Sequence, residues 1–344
     1  MVEKKNKEML KENINGKVMI RDVNKNSIEE IVGEAFYTFL SPRKAINSNF
    51  AIKPNLGFKT DTKGGTTNVK IIESVLKIVR EKYKARNIFL VESDGITFKC
   101  EDAFEYLGLD KICSKYDVEF VNLSKRSTVT VSFNNNKILK NFNIPKLFEN
   151  ENMKLINLAK LKTHEISKFS CAIKNLSGLN PYVFKVEYHP VINDVLHDLY
   201  YIFKPDLNIV DGIWAINEHG PWTGKPVNLN IILAGNDALL VDLVCLRIIG
   251  WDIEHVPYIQ EIIEKNNMVD TRIDGKIPEI QRFEWHPLSK FGLFKEKMAR
   301  VLIPFLKVGF PLFYYSQGSF KLVFYGEGGK YCKSIRIFPK KSKT

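Results

Sequence analysis

Short apolar runs that alternate with amphipathic helical stretches constrain the fold of this chain most. Asn87–Glu92, NIFLVE, is continuously apolar between its first and last residues, which is typical of a strand that a parallel sheet buries on both faces. Further strands are predicted at Lys17–Arg21, Phe50–Lys53, Glu119–Asn122, Lys154–Leu158, Asp206–Val210 and Asn228–Ala234. Helices are predicted at Ser27–Leu40, Asn68–Lys82, Ala103–Leu107, Lys111–Tyr116, Tyr188–Phe203, Asp237–Ile249 and Val256–Lys265. This order predicts an α/β protein with a largely parallel, doubly wound, Rossmann-like sheet.

One segment interrupts the alternation with a period of two. Ser127–Leu139 alternates in its first half, and Asn134–Asn136 has the composition of a tight turn. We therefore expect a β-hairpin inserted before the strand at Lys154–Leu158.

The end of the chain differs from the rest in charge and in aromatic content. Residues 286–344 contain 12 Lys or Arg against two acids, a net charge of +10 out of +12 for all 344 residues. Val301–Tyr315 has one charge and two prolines, and it is shorter than the ~20 apolar residues that a membrane-spanning helix needs. We predict an α/β domain over 1–285 and a basic C-terminal subdomain over 286–344. The apolar run either packs on the main domain or contacts lipid beside its basic neighbours.

Polar side chains follow several of the predicted strands at their carboxyl ends, where open α/β sheets bind ligands. The predicted substrate-binding residues are Lys53, Asn55, Gly64, Gly65, Thr66, Asp94, Lys160, Lys162, Lys174, Asn175 and His219. The predicted catalytic residues are His164, Glu218 and Asp211. Lysines hold phosphate or carboxylate as point charges, and His164 or Glu218 would transfer protons. For any one of these residues an ordinary salt bridge is an equal alternative, so the prediction depends on their convergence.

Two details of this predicted site have alternatives. Gly64, Gly65 and Thr66 precede a helix, where free N–H groups bind anions, but Thr also caps helices routinely. Lys160 and Lys162 are expected just beyond the end of a strand and exposed, with a solvated basic loop as the alternative to a ligand site. Replacing either by Ala is expected to weaken ligand binding with little loss of stability.

Metal and redox chemistry find little support in the sequence. The five cysteines are scattered without a CxxC pair, and the histidines show neither HxH nor HExxH spacing. We predict no metal site and leave the cofactor open. Asp237 and Asp242 are expected to cap and orient the apolar helix that contains them, and Cys171 is expected in the core.

Five motifs occur in one order: IKPNLG at Ile52–Gly57, NLAKLKTH at Asn157–His164, AIKNLSGL at Ala172–Leu179, VDGIWAINEHGPWTGKPV at Val210–Val227 and LAGNDALLVDLV at Leu233–Val244. This series resembles the family of domains of unknown function numbered 362. The resemblance covers roughly residues 50–251 and implies no agreed chemistry. Some members of that family carry an iron–sulfur segment, but this chain has no cysteine run that could ligate a cluster.

The first functional hypothesis is an enzyme that acts on an anionic small molecule, phosphorylated or carboxylated and in one version lipid-linked. The second is a non-catalytic anion- or cofactor-binding protein, held at a membrane surface with a partner. No nucleic acid is expected as a partner, because no recognition motif accompanies the basic charge. The polar N-terminus lacks the apolar region of a signal peptide, so we expect a cytoplasmic protein, in one version peripheral at the inner membrane face. The sequence leaves the reaction, the substrate and the oligomeric state open.

Overall fold

The structure is a computed structural model, and it describes residues 13–57, 60, 62–96, 98–307, 312–316, 319–325 and 331–336, with side chains up to residue 303. The strands are β1 (Asn13–Asp22), β2 (Asn49–Pro54), β3 (Ile88–Glu92), β4 (Glu119–Asn122), β5 (Thr128–Ser132), β6 (Asn141–Pro145), β7 (Met153–His164), β8 (Lys168–Ser170), β9 (Leu207–Asn217), β10 (Lys225–Gly235), β11 (Met268–Asp274), β12 (Leu312–Ser316), β13 (Ser319–Tyr325) and β14 (Tyr331–Arg336). The helices are α1 (Ile28–Phe39), α2 (Pro42–Ala45), α3 (Val69–Glu81), α4 (Cys100–Tyr106), α5 (Leu109–Tyr116), α6 (Ala172–Asn175), α7 (Ile192–Ile202), α8 (Ala238–Ile248), α9 (Pro257–Glu264) and α10 (Lys290–Lys307).

Within the described residues, nine strands form one sheet in the order β11-β1-β10-β9-β7-β2-β3-β4, with β8 paired to β7. The five strands from β9 to β4 run parallel to one another. β10 is antiparallel to both of its neighbours, and β11 is parallel to β1. The α/β class and the largely parallel sheet are thus confirmed, and the finer Rossmann-like description stays a prediction.

Helices cover both faces of the sheet because the buried strands alternate apolar residues between two sides. In β2, Ala51 packs in the core with α6, α7, α8 and α9, whereas Phe50 and Ile52 pack in the core with α1, α3, α4 and α5. Polar side chains at the helix starts satisfy free N–H groups. Ser27 and Glu30 form a capping box on α1, Asn68 caps α3, and Asp237 caps α8 as expected.

Two central strands are longer than their apolar runs predict. β7 continues past Leu158 to His164, because its last residues pair with β8 on one side and with β9 on the other. The predicted strand ended at Leu158 and placed Lys160, Lys162 and His164 just beyond it, which is wrong, since all three are within the strand. β9 likewise extends past Val210, so that Asp211 lies inside it.

The predicted hairpin exists, but its second strand lies further along the chain than Leu139. β5 pairs with β6, which begins at Asn141. The intervening residues cannot form a strand because the buried carboxylate of Asp198, on α7, accepts three of their backbone N–H groups, at 2.8–3.0 Å. The helix predicted at Tyr188–Phe203 is also shorter, since a 3₁₀ turn containing Pro190 precedes α7.

The C-terminal region contains an 18-residue helix, α10, followed by a three-stranded antiparallel sheet of β12, β13 and β14. The run Val301–Tyr315, read from the sequence as one broken apolar segment, is divided between α10 and β12. The sequence of this region predicts two strands, Phe320–Tyr325 and Ser334–Phe338, around a turn at GEGGK, and that turn and Phe338 lie outside the described residues. The domain division at residue 286 stays a prediction. None of the described helices is long and apolar enough to cross a membrane.

We predict that Asp198→Ala lowers the free energy of unfolding by about 3 kcal/mol or more, because buried N–H groups lose an ionised acceptor. Asp194→Ala is the matched control on the same helix. Asp194 is partly exposed and pairs with Lys137, so its loss should cost less than about 1 kcal/mol. Urea unfolding measures both, and equal costs would contradict a structural role for Asp198.

Candidate functional site

The site lies where the chain reverses its direction across the sheet. From β2 the chain builds β3 and β4 on one side and then returns to place β7 on the other side of β2. Helices and loops diverge at such a switch point, and a crevice opens beyond the carboxyl ends of the strands. A cavity of about 290 Å³ lies there. Its polar lining comprises Lys53, Asn55, Glu92, Ser93, Lys162, His164, Glu165, Ser170, Lys174, Asn175, Ser177, Lys185 and His189.

A buried ion pair closes one side of the cavity. Lys53, at the end of β2, donates to Oε2 of Glu92, at the end of β3, over 2.7 Å. Gly178 lies against this pair, since a Cβ atom there would be 2.2 Å from Cε of Lys53 and 2.3 Å from Oε1 of Glu92. The absence of a side chain at this position allows the pair to form.

Three asparagines connect the strand ends through their amide groups. Nδ2 of Asn175 donates to Oδ1 of Asn157 at 2.7 Å, and Oδ1 of Asn175 accepts from Nδ2 of Asn55 at 3.0 Å. Oδ1 of Asn55 in turn accepts from Nζ of Lys162 at 2.8 Å. Because every amide is engaged on both sides, these neutral groups hold β2, β7 and α6 together while Asn55 and Asn175 face the cavity.

Lys162 reaches the cavity without an ion-pair partner among the described side chains. Its Nζ donates to Oδ1 of Asn55 and, at 3.0 Å, to the carbonyl of Gly65. Burial, together with the positive charges of Lys160, Lys174 and Lys53, lowers the pKa of Lys162 to about 7. An ammonium group in this position is therefore easily deprotonated near neutral pH.

Two further lysines of the cavity, Lys174 and Lys185, also have lowered pKa values. Nζ of Lys174, on α6, contacts the hydroxyl of Ser177 at 3.2 Å, and burial lowers its pKa to about 8. Nζ of Lys185 donates to the hydroxyl of Ser93 and to the carbonyl of Asp94, and burial again lowers the pKa to about 8. Nearby cations and the scarcity of water thus both act against charge in this cavity.

His164 is neutral at the edge of this cluster. Burial holds the pKa of its imidazole well below the usual value, and Lys174, His189 and Lys162 add to the effect. Its Nδ1 accepts from the backbone N–H of Ile166 at 3.2 Å, which assigns the ring proton to Nε2. His189 also lines the cavity, and burial lowers its pKa too.

Lys160 has a different environment, although it is two residues before Lys162. Its Nζ pairs at 2.8 Å with Asp211, and both side chains are almost completely buried. Asp211 also accepts from the backbone N–H of Asn68, at the start of α3. This pair holds β7, β9 and α3 together and does not line the cavity. The expectation that Lys160 and Lys162 are exposed is wrong, because each keeps only 2% of its surface.

Several predicted residues lie away from the cavity lining. Asp94 accepts from the N–H of Cys100 and from the amide of Asn122, and Gly65 contributes only its carbonyl to Lys162. His219 is exposed and stacks on His286. Gly64, Thr66 and Glu218 do not line the cavity either. Of the predicted residues, the cavity brings together Lys53, Asn55, Lys162, His164, Lys174 and Asn175.

The sequence-based prediction missed Glu92, Lys185 and His189. Glu92 ends the strand NIFLVE, so the rule that selected Lys53 would also have found it. Lys185 and His189 lie in the 3₁₀ turn before α7, and no pattern indicates that this turn folds over the cavity.

The carboxylates of Asp94, Glu101 and Asp242 are engaged by donors from the protein itself. Asp94, Cys100 and Glu101 lie within 4.8 Å of one another, but Asn122 donates to both carboxylates and Lys125 pairs with Glu101. Asp242 accepts from the N–H groups of Ala172 and Ile173, so it caps α6 and not its own helix. Burial raises the pKa of Asp242 to about 7. Cys171 is buried, as expected.

Fold and site together define an α/β protein with a lysine-lined cavity at the switch point of its sheet. The chain belongs to the family described as "Domain of unknown function (DUF362)", whose model matches residues 50–247, more than half of the chain. The matched range contains every residue that lines the cavity and ends before α10.

A curated relative matches a smaller part. The "Thylakoid-associated protein sll1697" of Synechocystis sp. (strain ATCC 27184 / PCC 6803 / Kazusa) is 31% identical over 110 residues. The aligned part covers 30% of this chain and 34% of that protein, so the likeness spans about a third of each. No solved structure matches the chain significantly.

We predict that Lys160→Ala lowers the free energy of unfolding by about 3–5 kcal/mol, because the carboxylate of Asp211 stays buried without its partner. Lys77→Ala is the control, since it breaks a more exposed pair with Glu29 and should cost less than about 1 kcal/mol. Chemical denaturation measures both, and a small cost at Lys160 would show that the pair does not hold the strands together.

We also predict that Gly178→Ala destabilises the protein by about 1–3 kcal/mol, because the new methyl group overpacks the Lys53–Glu92 pair. Gly95→Ala is matched to it, as Gly95 lines the same cavity but the nearest atom to a Cβ there is 3.8 Å away. That control should have the same free energy of unfolding as the original protein, or one that is up to about 1 kcal/mol higher. An equal loss of stability in the two variants, measured by thermal unfolding, would contradict the close approach at Gly178.

Proposed function

We propose that the protein is an enzyme that binds an anionic small molecule, phosphorylated or carboxylated, in the lysine-lined cavity. Lys162, Lys174 and Lys185 contact the anion, Lys53 contributes its charge from the ion pair with Glu92, and His164 transfers a proton. Asp211 and Glu218, which were predicted as catalytic from the sequence, have no part in this proposal. The first is occupied by Lys160, and the second does not line the cavity.

One observation carries the proposal, namely the imbalance of charge in the cavity. Four lysines line it against two glutamates, and one of those, Glu92, is already paired with Lys53. Burying an ammonium group without an ion-pair partner is costly, and burial depresses the pKa values of Lys162, Lys174 and Lys185 although nearby carboxylates such as Glu92 oppose the shift. A bound anion would supply the missing charge and restore their protonated forms.

The neutral groups support orientation and proton transfer. Asn55 and Asn175 are fixed in the amide chain and present polar atoms beside the lysines. Lys162, with a pKa of about 7, is suited to general acid–base work near neutral pH. His164 presents a neutral imidazole, which can accept a proton from a bound substrate. The non-catalytic alternative requires only the charges, and substrate turnover would separate the two hypotheses.

We further propose that the protein works at a membrane surface. The curated relative is named as thylakoid-associated, and the region after residue 285 is strongly basic. Basic segments are attracted to anionic leaflets by about 1 kcal/mol for each Lys or Arg close to the surface. Binding of the full chain to lipid vesicles tests this location.

We predict that the affinity for inorganic pyrophosphate, used as a probe and corrected for the probe's own ionisation over this range, falls as the pH rises from below 7 to about 9. The sign follows from the lysines: Lys162, with a pKa of about 7, and Lys174 and Lys185, with pKa values of about 8, lose their protons over that interval. Binding between about pH 7 and pH 9 should take up protons at these lysines. Titration calorimetry in buffers of different ionisation enthalpy measures both effects, and an affinity independent of pH would contradict the site.

Variants assign the effect to the cavity. Lys162→Met and Lys174→Met should each weaken pyrophosphate binding by about tenfold or more, because each removes a charge-assisted hydrogen bond. Lys44→Ala, at an exposed position on α2, is the control and should bind normally. Equal binding by all three variants would place the anion elsewhere.

A further inference from the structure

The helix α10 exposes an apolar face to solvent. Phe291, Phe294, Met298 and Val301 retain 65%, 58%, 41% and 60% of their surface. Their spacing of three and four residues places them in one stripe along the helix. Contiguous exposed apolar surface of this kind marks an interaction site more often than scattered single residues do.

The opposite face of α10 attaches the helix to the body of the protein. Ile303 is fully buried and packs with Val183 and Phe184. Glu296 pairs with Arg300 on the same helix and lies 3.2 Å from Nδ1 of His189, a residue of the cavity lining. Because this inner face is occupied, the helix is held in place with its apolar stripe directed away from the domain.

Lysines border the apolar stripe on both sides. At 100° per residue, Lys290 and Lys297 project to one side of it, and Lys295 projects to the other. All three are exposed, and Nζ of Lys295 lies 4.4 Å from the centre of the Phe291 ring. An apolar face bordered by long cationic side chains is the pattern of a helix lying in a membrane interface, where lysine stems cover apolar surface and the charges reach the headgroups.

We propose that this stripe, formed by Phe291, Phe294, Met298 and Val301 and bordered by Lys290, Lys295 and Lys297, is the surface that docks on an anionic lipid bilayer. A protein partner would leave the lysines without a reason to border the stripe symmetrically, whereas anionic headgroups complement both borders. The proposal rests on the proposed membrane location and is independent of the anion site, which lies within the part of the chain that the family model matches.

The test is co-sedimentation of the full chain with phosphatidylcholine vesicles that contain or lack phosphatidylglycerol. The original protein should pellet with the anionic vesicles and be released at high salt, because the Debye length shrinks from about 8 Å to about 3 Å. The double variant Phe291→Gln/Phe294→Gln should lose about tenfold or more in partitioning, since two aromatic rings no longer enter the interface. Lys290→Gln/Lys297→Gln should weaken binding at low salt only.

Tyr37→Gln is the matched control, because Tyr37 is an exposed aromatic residue on another helix, α1, with 82% of its surface accessible. It should partition like the original protein. Thermal unfolding checks that all variants are folded, and pyrophosphate titration should give unchanged affinities, so that a failed anion site and a failed lipid surface are distinguishable. No pelleting by the original protein, or undiminished pelleting by the double phenylalanine variant, would overturn the proposal.

Discussion

The cost of burying ammonium groups, to which their mutual repulsion adds, is the constraint to which the centre of this protein is adapted. Lys53, Lys160, Lys162 and Lys174 come from two strands and a short helix that the sheet topology brings together; the first three are buried and Lys174 is partly buried. Charges at such separations interact strongly when the surrounding dielectric is low. The fold answers in two ways: it pairs some lysines with carboxylates, and it leaves the others in a state where a proton is easily lost.

The lysines paired with carboxylates stabilise the fold, and the lysines without such a partner are available to a ligand. Lys160 is neutralised by Asp211, which also accepts an N–H group at the start of α3, so this pair connects two strands and a helix. Lys162 lies on the same strand, but its Nζ donates only to neutral acceptors, Oδ1 of Asn55 and the carbonyl of Gly65. Lys160 and Lys162, two positions apart on one strand, therefore have different roles, because Lys160 has a carboxylate partner and Lys162 does not.

This contrast also explains how far the sequence could predict the structure. The α/β class follows from apolar runs such as NIFLVE, and the rule about carboxyl strand ends brings Lys53, Lys162 and His164 to one place. The same reading could not distinguish Lys160 from Lys162, because the partner of Lys160 is 51 residues away on β9. The end of β7 and the second strand of the hairpin were predicted at the wrong residues. Tertiary hydrogen bonds, from β8, β9 and Asp198, determine these boundaries and override the local composition. Lys185 was missed since nothing in the local pattern shows which way a 3₁₀ turn folds.

Gly178 offers a way to sort relatives by inspection. Its backbone comes so close to Lys53 and Glu92 that any side chain would occupy the space of the ion pair. A family member with a larger residue at this position must place its counterparts of Lys53 and Glu92 differently, or lack one of them. The glycine of the AIKNLSGL motif is thus a one-letter indicator of whether another chain retains the same charge arrangement at the floor of its cavity.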